Sequence, residues 1–259
     1  MYKIQNFQYL LFNTTVLLLV LFLLPLTAPG QENGPILDSY PDAYAAYSLR
    51  KLDSEYTGYA VRVRSSADDT EKSFGFDSEG NLNISEIESW LGAADGYVTT
   101  WFSQKSGQTD LVQTDKTRQP LIAQDGTVIL DEKGLPRILF EGDRNTYLTT
   151  YPGSLSSIPI NNTALMIVGE SRTSPETQGV LALQRPGEWG QYKFILNIQN
   201  NALTFRSNIT SQVWTGIRKD RAVWGINFDN YGNVINYYNN AETKTNTYSG
   251  SLSSNQLTV

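Results

Sequence analysis

Apolar positions fall in short, strand-length runs along most of the chain, some of them alternating with polar residues at the period of two that marks strands rather than helices. Val61, Val63 and their Arg62 and Arg64 neighbours show it most plainly. Strand-length runs follow at Ala60–Arg64, Tyr97–Phe102, Thr127–Leu130, Arg137–Phe140, Ala164–Gly169, Gly179–Leu183, Lys193–Ile198, Ala202–Arg206, Ala222–Phe228 and Val234–Tyr238, most of them separated by Gly, Asn, Asp or Pro. Asp229-Asn230-Tyr231-Gly232-Asn233 stands between the last two as a hairpin loop, where Gly232 can take a positive φ.

Two segments break this period. Around Ala43–Lys51, Pro41 precedes Asp42 in the manner of a helix start, and Tyr44, Tyr47 and Leu52 form an apolar stripe, so a short helix is expected. Over Ile84–Leu91 the apolar residues Ile84, Ile87, Trp90 and Leu91 share one helical face. Ser85 and Glu88 have capping-box spacing, and Gly92 ends the helix.

Composition fits a β-domain rich in polar turns. Charged residues make up 18% of the 259, and the net charge of −6 argues against a nucleic-acid partner, which needs clustered Lys and Arg. There is no cysteine and no histidine, which removes thiol nucleophiles and the usual zinc sites. Asp229, Asn230 and Asn233 offer oxygen ligands for Ca²⁺ without the spacing of a dedicated calcium loop, so no metal is assigned and no cofactor is expected.

At the N-terminus Lys3 precedes the apolar run Val16–Leu24, which is short for a bilayer span, and Ala28 and Gly30 provide small residues before Gln31. Residues 1–30 are expected to be a signal peptide and 31–259 a single domain, secreted or held at a bacterial cell surface. An uncleaved anchor starting near Leu10 is the competing reading and the one route to a membrane. Sequons at Asn83, Asn161 and Asn208 matter in a eukaryotic host alone.

Three stretches carry a family resemblance. They are Ala46–Leu52 leading into Tyr56-Thr57-Gly58 and Val61–Arg64; Ala94–Phe102; and Gln113-Thr114 with Arg118-Gln119-Pro120. Their order and spacing resemble the N-terminal part of secreted modules related to the catalytic domain of α-L-arabinofuranosidase B, glycoside hydrolase family 54. The resemblance covers about residues 40–145 well and the remainder weakly. It implies a mainly β, concanavalin A-like jelly-roll sandwich, LamG-like in its strand endings, with one or two short N-terminal helices, that handles a polysaccharide or other glycan. In such folds a further strand follows a segment resembling Leu257-Thr258-Val259, so the domain is expected to be C-terminally truncated and to lack its final strands.

The resembled enzymes are retaining glycosidases with paired carboxylates. They carry a vicinal cystine that this chain lacks, and their nucleophile strand aligns with Gly179–Leu183, which has no acid. Their acid/base stretch falls beyond Val259, and the segment after their β-strand is altered here to Trp101-Phe102-Ser103-Gln104-Lys105-Ser106-Gly107. Glu170, Glu176, Glu188 and Asp229 are the alternative acids, and nothing in their spacing pairs two of them.

Binding needs less: an aromatic face against a sugar ring, with amides and carboxylates for the hydroxyls. Glu188, Trp189 and Tyr192, in a Gly-rich loop setting, and Trp214 are the candidate carbohydrate contacts. Arg62 and Arg64 are expected to pair with Asp68, Asp69 and Glu71 on the surface, with recognition of acidic glycans as their alternative role. Trp90 and Trp101 read as core, and Asp95-Gly96 as the turn that launches a strand. Three functions remain: an exported lectin-like module, an arabinofuranosidase, or a structural or adhesive surface domain of the phage-tail type.

Overall fold

The computed structural model describes residues 34–150 and, beyond them, the strands between 163 and 258; the described residues from Ile36 on belong to one unit. Its first part is a six-stranded sheet: β1 (Val61–Ser65), β2 (Glu71–Phe74), β3 (Gly96–Trp101), β4 (Leu111–Val112), β5 (Leu121–Gln124) and β6 (Thr127–Val128). The order is β2-β1-β3-β5-β6, with β4 joined to β3. The remaining strands are β7 (Thr163–Gly169), β8 (Gln178–Gln184), β9 (Tyr192–Gln199), β10 (Ala202–Ser207), β11 (Ser211–Thr215), β12 (Ala222–Phe228), β13 (Asn233–Tyr238), β14 (Ala241–Thr247) and β15 (Gln256–Thr258). They form a five-stranded sheet, β11-β10-β9-β8-β15, and a four-stranded one, β14-β13-β12-β7. The pairings are antiparallel throughout, as expected of a jelly roll. The predicted hairpin forms between β12 and β13, with Phe228 opposite Val234.

Helices among the described residues are α1 (Ile36–Ser39) and α2 (Ile84–Leu91), with a 3-10 turn at Lys116–Arg118. The α2 expectation holds in place and face: Ile87 and Leu91 are buried, and Ile84 and Trp90 pack against the core. Its cap is Asn83 rather than Ser85. The Asn83 side chain accepts from the Glu86 amide, while the Asn83 amide itself donates to the Gly75 carbonyl, so residue 83 is an N-cap without the reciprocal bond of a capping box. Gly92 closes the helix at φ +62.

The inward residues of the first sheet, Val61, Val63, Phe74, Val98, Ile122 and Ala123, meet α2 in a dry core, where Trp90 lies 5.4 Å from Phe74. Two glycines permit this approach. A Cβ on Gly96 would sit 2.9 Å from a Leu91 methyl, and one on Gly126, at φ +77, would sit 1.8 Å from the Gly92 carbonyl oxygen. The β5–β6 turn is then clipped to the helix end, with Gly126 donating to the Ala94 carbonyl and Asp125 to the Asp95 carboxylate.

The expected helix over Ala43–Lys51 does not form. Its backbone is engaged by a neighbour instead. Gln104, 1% exposed, accepts from the Leu52 amide at 2.7 Å through Oε1 and donates through Nε2 to the Ser48 and Arg50 carbonyls. Leu82 and Lys51 add bonds to the Leu49 and Gly80 carbonyls. A buried amide that reads a non-helical segment in this way overrides the helical propensity of a run that is mostly Ala, Leu, Arg and Lys. The expected strand Arg137–Phe140 is likewise reduced to an isolated pairing of Leu139 with Leu121.

Candidate functional site

Alternation along β1 sends Val61 and Val63 into the core and leaves Arg62 and Arg64 on the opposite face. A bulge separates their environments: Arg62 is paired with Thr100 and Val63 with Val98, so Thr99 is the extra residue. The Thr99 hydroxyl lies 3.3 Å from the Glu71 carboxylate and 3.4 Å from the Arg62 carbonyl. The outward face therefore has two ends.

At the Arg62 end the guanidinium lies over Phe102, 5.6 Å from the ring centroid, and its Nε donates to Ser73 Oγ at 3.2 Å. Exposed Tyr59 sits 6.0 Å from Phe102, and Tyr56 donates its hydroxyl to the Tyr59 carbonyl. Asp110 is half-buried within reach of the Arg62 charge and accepts from the Ser103 amide at 2.9 Å. Burial raises its carboxyl above the ordinary aspartate value, partly offset by that hydrogen bond and by Arg62. Burial and the Asp110 charge likewise push the Tyr47 phenol up; its hydroxyl donates to the Thr109 carbonyl. Aromatic surface beside a guanidinium and a carboxyl is the chemistry of sugar contact.

At the Arg64 end an open recess of about 660 Å³ is lined by Arg64, Tyr97, Lys116, Arg118, Arg144 and their neighbours. Both the Arg64 and Arg144 guanidiniums lie over the Tyr97 ring, 4.9 and 5.3 Å from its centroid. Arg64, whose side chain is 8% exposed, donates through Nε to Gln119 Oε1 and through Nη1 to Asp69 Oδ1, both at 2.7 Å. Lys116 holds the other Asp69 oxygen at 2.8 Å. Lys116 first and then Arg64 keep that carboxyl below the ordinary aspartate value.

Gln119, 2% exposed, donates to the Gln113 carbonyl, and Gln113 in turn accepts from Asp115 and donates to the Tyr147 carbonyl. Asp115 caps the 3-10 turn through Thr117 and pairs with Arg118 at 3.3 Å. Two buried amides thus join β1, the turn and the segment carrying Arg144.

The surface network expected for Arg62 and Arg64 is half right. Arg64 does pair with Asp69, but it is a buried residue; Arg62 bonds Ser73, Asp68 serves Thr70, and Glu71 serves Thr99. Of the candidate sugar contacts, Glu188 and Trp189 lie outside the described residues. Tyr192 opens β9 and Trp214 is in β11, opposite Leu203; their backbones alone are described. Glu170, Glu176, Asp229 and Asn230 also lie outside, and Asn233 begins β13. Among the described residues no group of three acidic side chains is arranged to hold a metal. Sequence reading missed the recess because its lining comes from distant segments, although Lys116, Arg118 and Arg144 are cations in an otherwise acidic chain.

Three solved structures of arabinofuranosidases share this fold. One was solved with arabinofuranosyl-α-1,2-xylobiose and superposes with a TM-score of 0.60 at 12% identity over 87% of this chain. A glycoside hydrolase family 54 α-L-arabinofuranosidase soaked with a cyclic sulfate inhibitor gives 0.57 at 12% over 83%. A point mutant from the same family, soaked with 4-nitrophenyl α-L-arabinofuranoside, gives 0.55 at 11% over 86%. The fold is a concanavalin A-like sandwich. This sandwich spans 54–57% of the length of those chains. No family model and no curated protein matches the sequence.

Proposed function

We propose that the chain is an exported, lectin-like carbohydrate-binding module, related to arabinofuranosidase B and acting at the cell surface or outside the cell. The observation that carries this reading is a sandwich shared with carbohydrate-active enzymes, bearing a shelf of exposed Tyr59 and Arg62 about the part-buried Phe102, with the half-buried Asp110 within reach of the Arg62 charge. Arabinose-containing polysaccharide is the first ligand to try, because one of those enzymes was solved with an arabinofuranosyl-xylobiose. Glu188, Trp189, Tyr192 and Trp214 are proposed as further contacts, and residues 1–30 as the export signal removed before Gln31.

The same neighbours favour a second reading, an arabinofuranosidase. Against it, β8 (Gln178–Gln184), where the resemblance locates the nucleophile, contains no carboxylate. The test is expression of the full chain in a bacterial host, N-terminal sequencing of the secreted product, and incubation with arabinan and arabinoxylan. Retention without release of arabinose supports a binding module, and a first residue at Gln31 supports the export signal. Released arabinose establishes the enzyme instead, while absence of both retention and release rejects both in favour of a structural or adhesive role.

A further inference from the structure

We propose that the recess at the Arg64 end binds an anionic substituent of a polysaccharide, a uronate carboxylate or a sulfate ester, separately from the shelf at the Arg62 end. The inference rests on the glycan reading above and adds a substrate class to it.

Four cations face three carboxylates here. Arg64 and Lys116 share Asp69, Arg118 holds Asp115, and Arg144 holds Glu141 at 2.7 Å. On a chain of net charge −6, this is a local reversal of sign. Each guanidinium also has more donors than its partner consumes. Among the described residues, Arg64 commits Nε and Nη1, Arg118 commits Nε, and Arg144 commits Nη1. The remaining N–H groups suit the planar, paired oxygens of a carboxylate or two oxygens of a sulfate.

The cations are also held in place before any ligand arrives. Arg64 is fixed from behind by Gln119 and Asp69, Arg144 lies over the ring of Tyr97, and Arg118 lies 5.9 Å from the Tyr147 centroid. Because Tyr97 carries two guanidiniums over its ring, it acts as a support for charge rather than as a sugar platform. An exposed surface salt-bridge network needs none of this backing. The recess is open and about 660 Å³, which is sugar-sized and gives a polymer access.

The test uses affinity electrophoresis and calorimetry of the full chain with polygalacturonate, a sulfated galactan and neutral arabinan, at low and moderate salt. Wild type is expected to bind at least one acidic polymer, more weakly as salt rises. Arg118→Gln and Arg144→Gln are each expected to weaken that binding about tenfold, the loss of one charge-assisted hydrogen bond, with arabinan retention unchanged. Carboxyl-reduced polygalacturonate and desulfated galactan identify which anion is recognised. If a variant loses its cooperative melting transition, Lys116→Gln takes its place, since that side chain is 58% exposed. Acidic polymers that fail to bind at low salt, or that bind folded variants as tightly as wild type, overturn the inference while arabinan retention keeps the glycan reading standing. Retention of no polysaccharide at all overturns both.

Discussion

Replacing Gln119 with alanine tests whether the recess is built from behind. Gln119 is 2% exposed and supplies the acceptor, at 2.7 Å, for the Nε of a guanidinium whose side chain is 8% exposed. Alanine leaves that charged donor without its partner, which costs about 2–3 kcal/mol. The emptied space and the lost bond to the Gln113 carbonyl add about 1 kcal/mol. The total, about 3–4 kcal/mol, should lower the urea midpoint by about 1 M with an unchanged slope for a protein of this size. Equilibrium unfolding followed by both tryptophan fluorescence and far-UV circular dichroism measures it. Combining Gln119→Leu with Arg64→Met should cost less than the sum of the two single changes, because neither polar partner is then stranded. A loss below about 1 kcal/mol for Gln119→Ala, or strict additivity in that cycle, would refute the claim that these two groups support each other.

Gly126→Ala should destabilise by about 3 kcal/mol, since it combines a positive φ with a Cβ 1.8 Å from the Gly92 oxygen, whereas Gly107→Ala, at φ +76 with open space around it, should cost about 1 kcal/mol; equal losses in urea titration contradict the account of the α2 clip. Asn83→Ala should cost about 1 kcal/mol in the same assay, and Ser85→Ala much less, because the cap bond to the Glu86 amide comes from residue 83. Asp69 and Asp110 should respond to pH in opposite senses. The depressed Asp69 carboxyl contributes stability that is present above its unfolded value and lost as pH falls through the folded one, whereas the raised Asp110 carboxyl favours the folded state increasingly as pH falls through its own folded value. Carboxyl ¹³C titrations should place the two midpoints on either side of the ordinary aspartate value, and Asp69→Asn should flatten the acid limb of the stability curve; a wild-type slope in that variant argues against the clamp.

Strand-length apolar runs mark β1, β3, β7–β10 and the β12–β13 hairpin in the sequence, because each is a stretch of apolar and β-branched residues bounded by turns. Strands without that signal are not legible in the pattern. β2 reads Glu71-Lys72-Ser73-Phe74 and β14 alternates Thr with Glu, Lys and Asn; both are edge strands whose partners, β1 and β13, hold them by backbone bonds. The Ala43–Lys51 segment misled for a different reason. Its structure is dictated by Gln104, more than fifty positions away, and no local window contains both. The recess was illegible on the same ground: Arg64 and Lys116 are familiar as solvated charges, and only the sheet register that sets Arg64 beside Tyr97, with Gln119 bonded behind it, turns them into a site.

The segment from 136 to 149 forms one wall of the recess, yet it joins the sheet by isolated pairings, Leu130 with Pro136, Leu121 with Leu139 and Val112 with Thr149, rather than by a continuous ladder. A ladder transmits a one-residue insertion along its whole length, because the shift turns every side chain to the other face. Isolated pairings do not. Between Phe140, which packs against the core, and Tyr147, whose carbonyl accepts from Gln113, the chain can be lengthened, shortened or re-spaced, carrying Arg144 and Asn145 with it, while β1, β3 and β5 keep their register. The proposed selectivity and the architecture are thereby written in separable parts of the chain, and a library randomised from 141 to 146 should yield folded proteins with altered ligand preference.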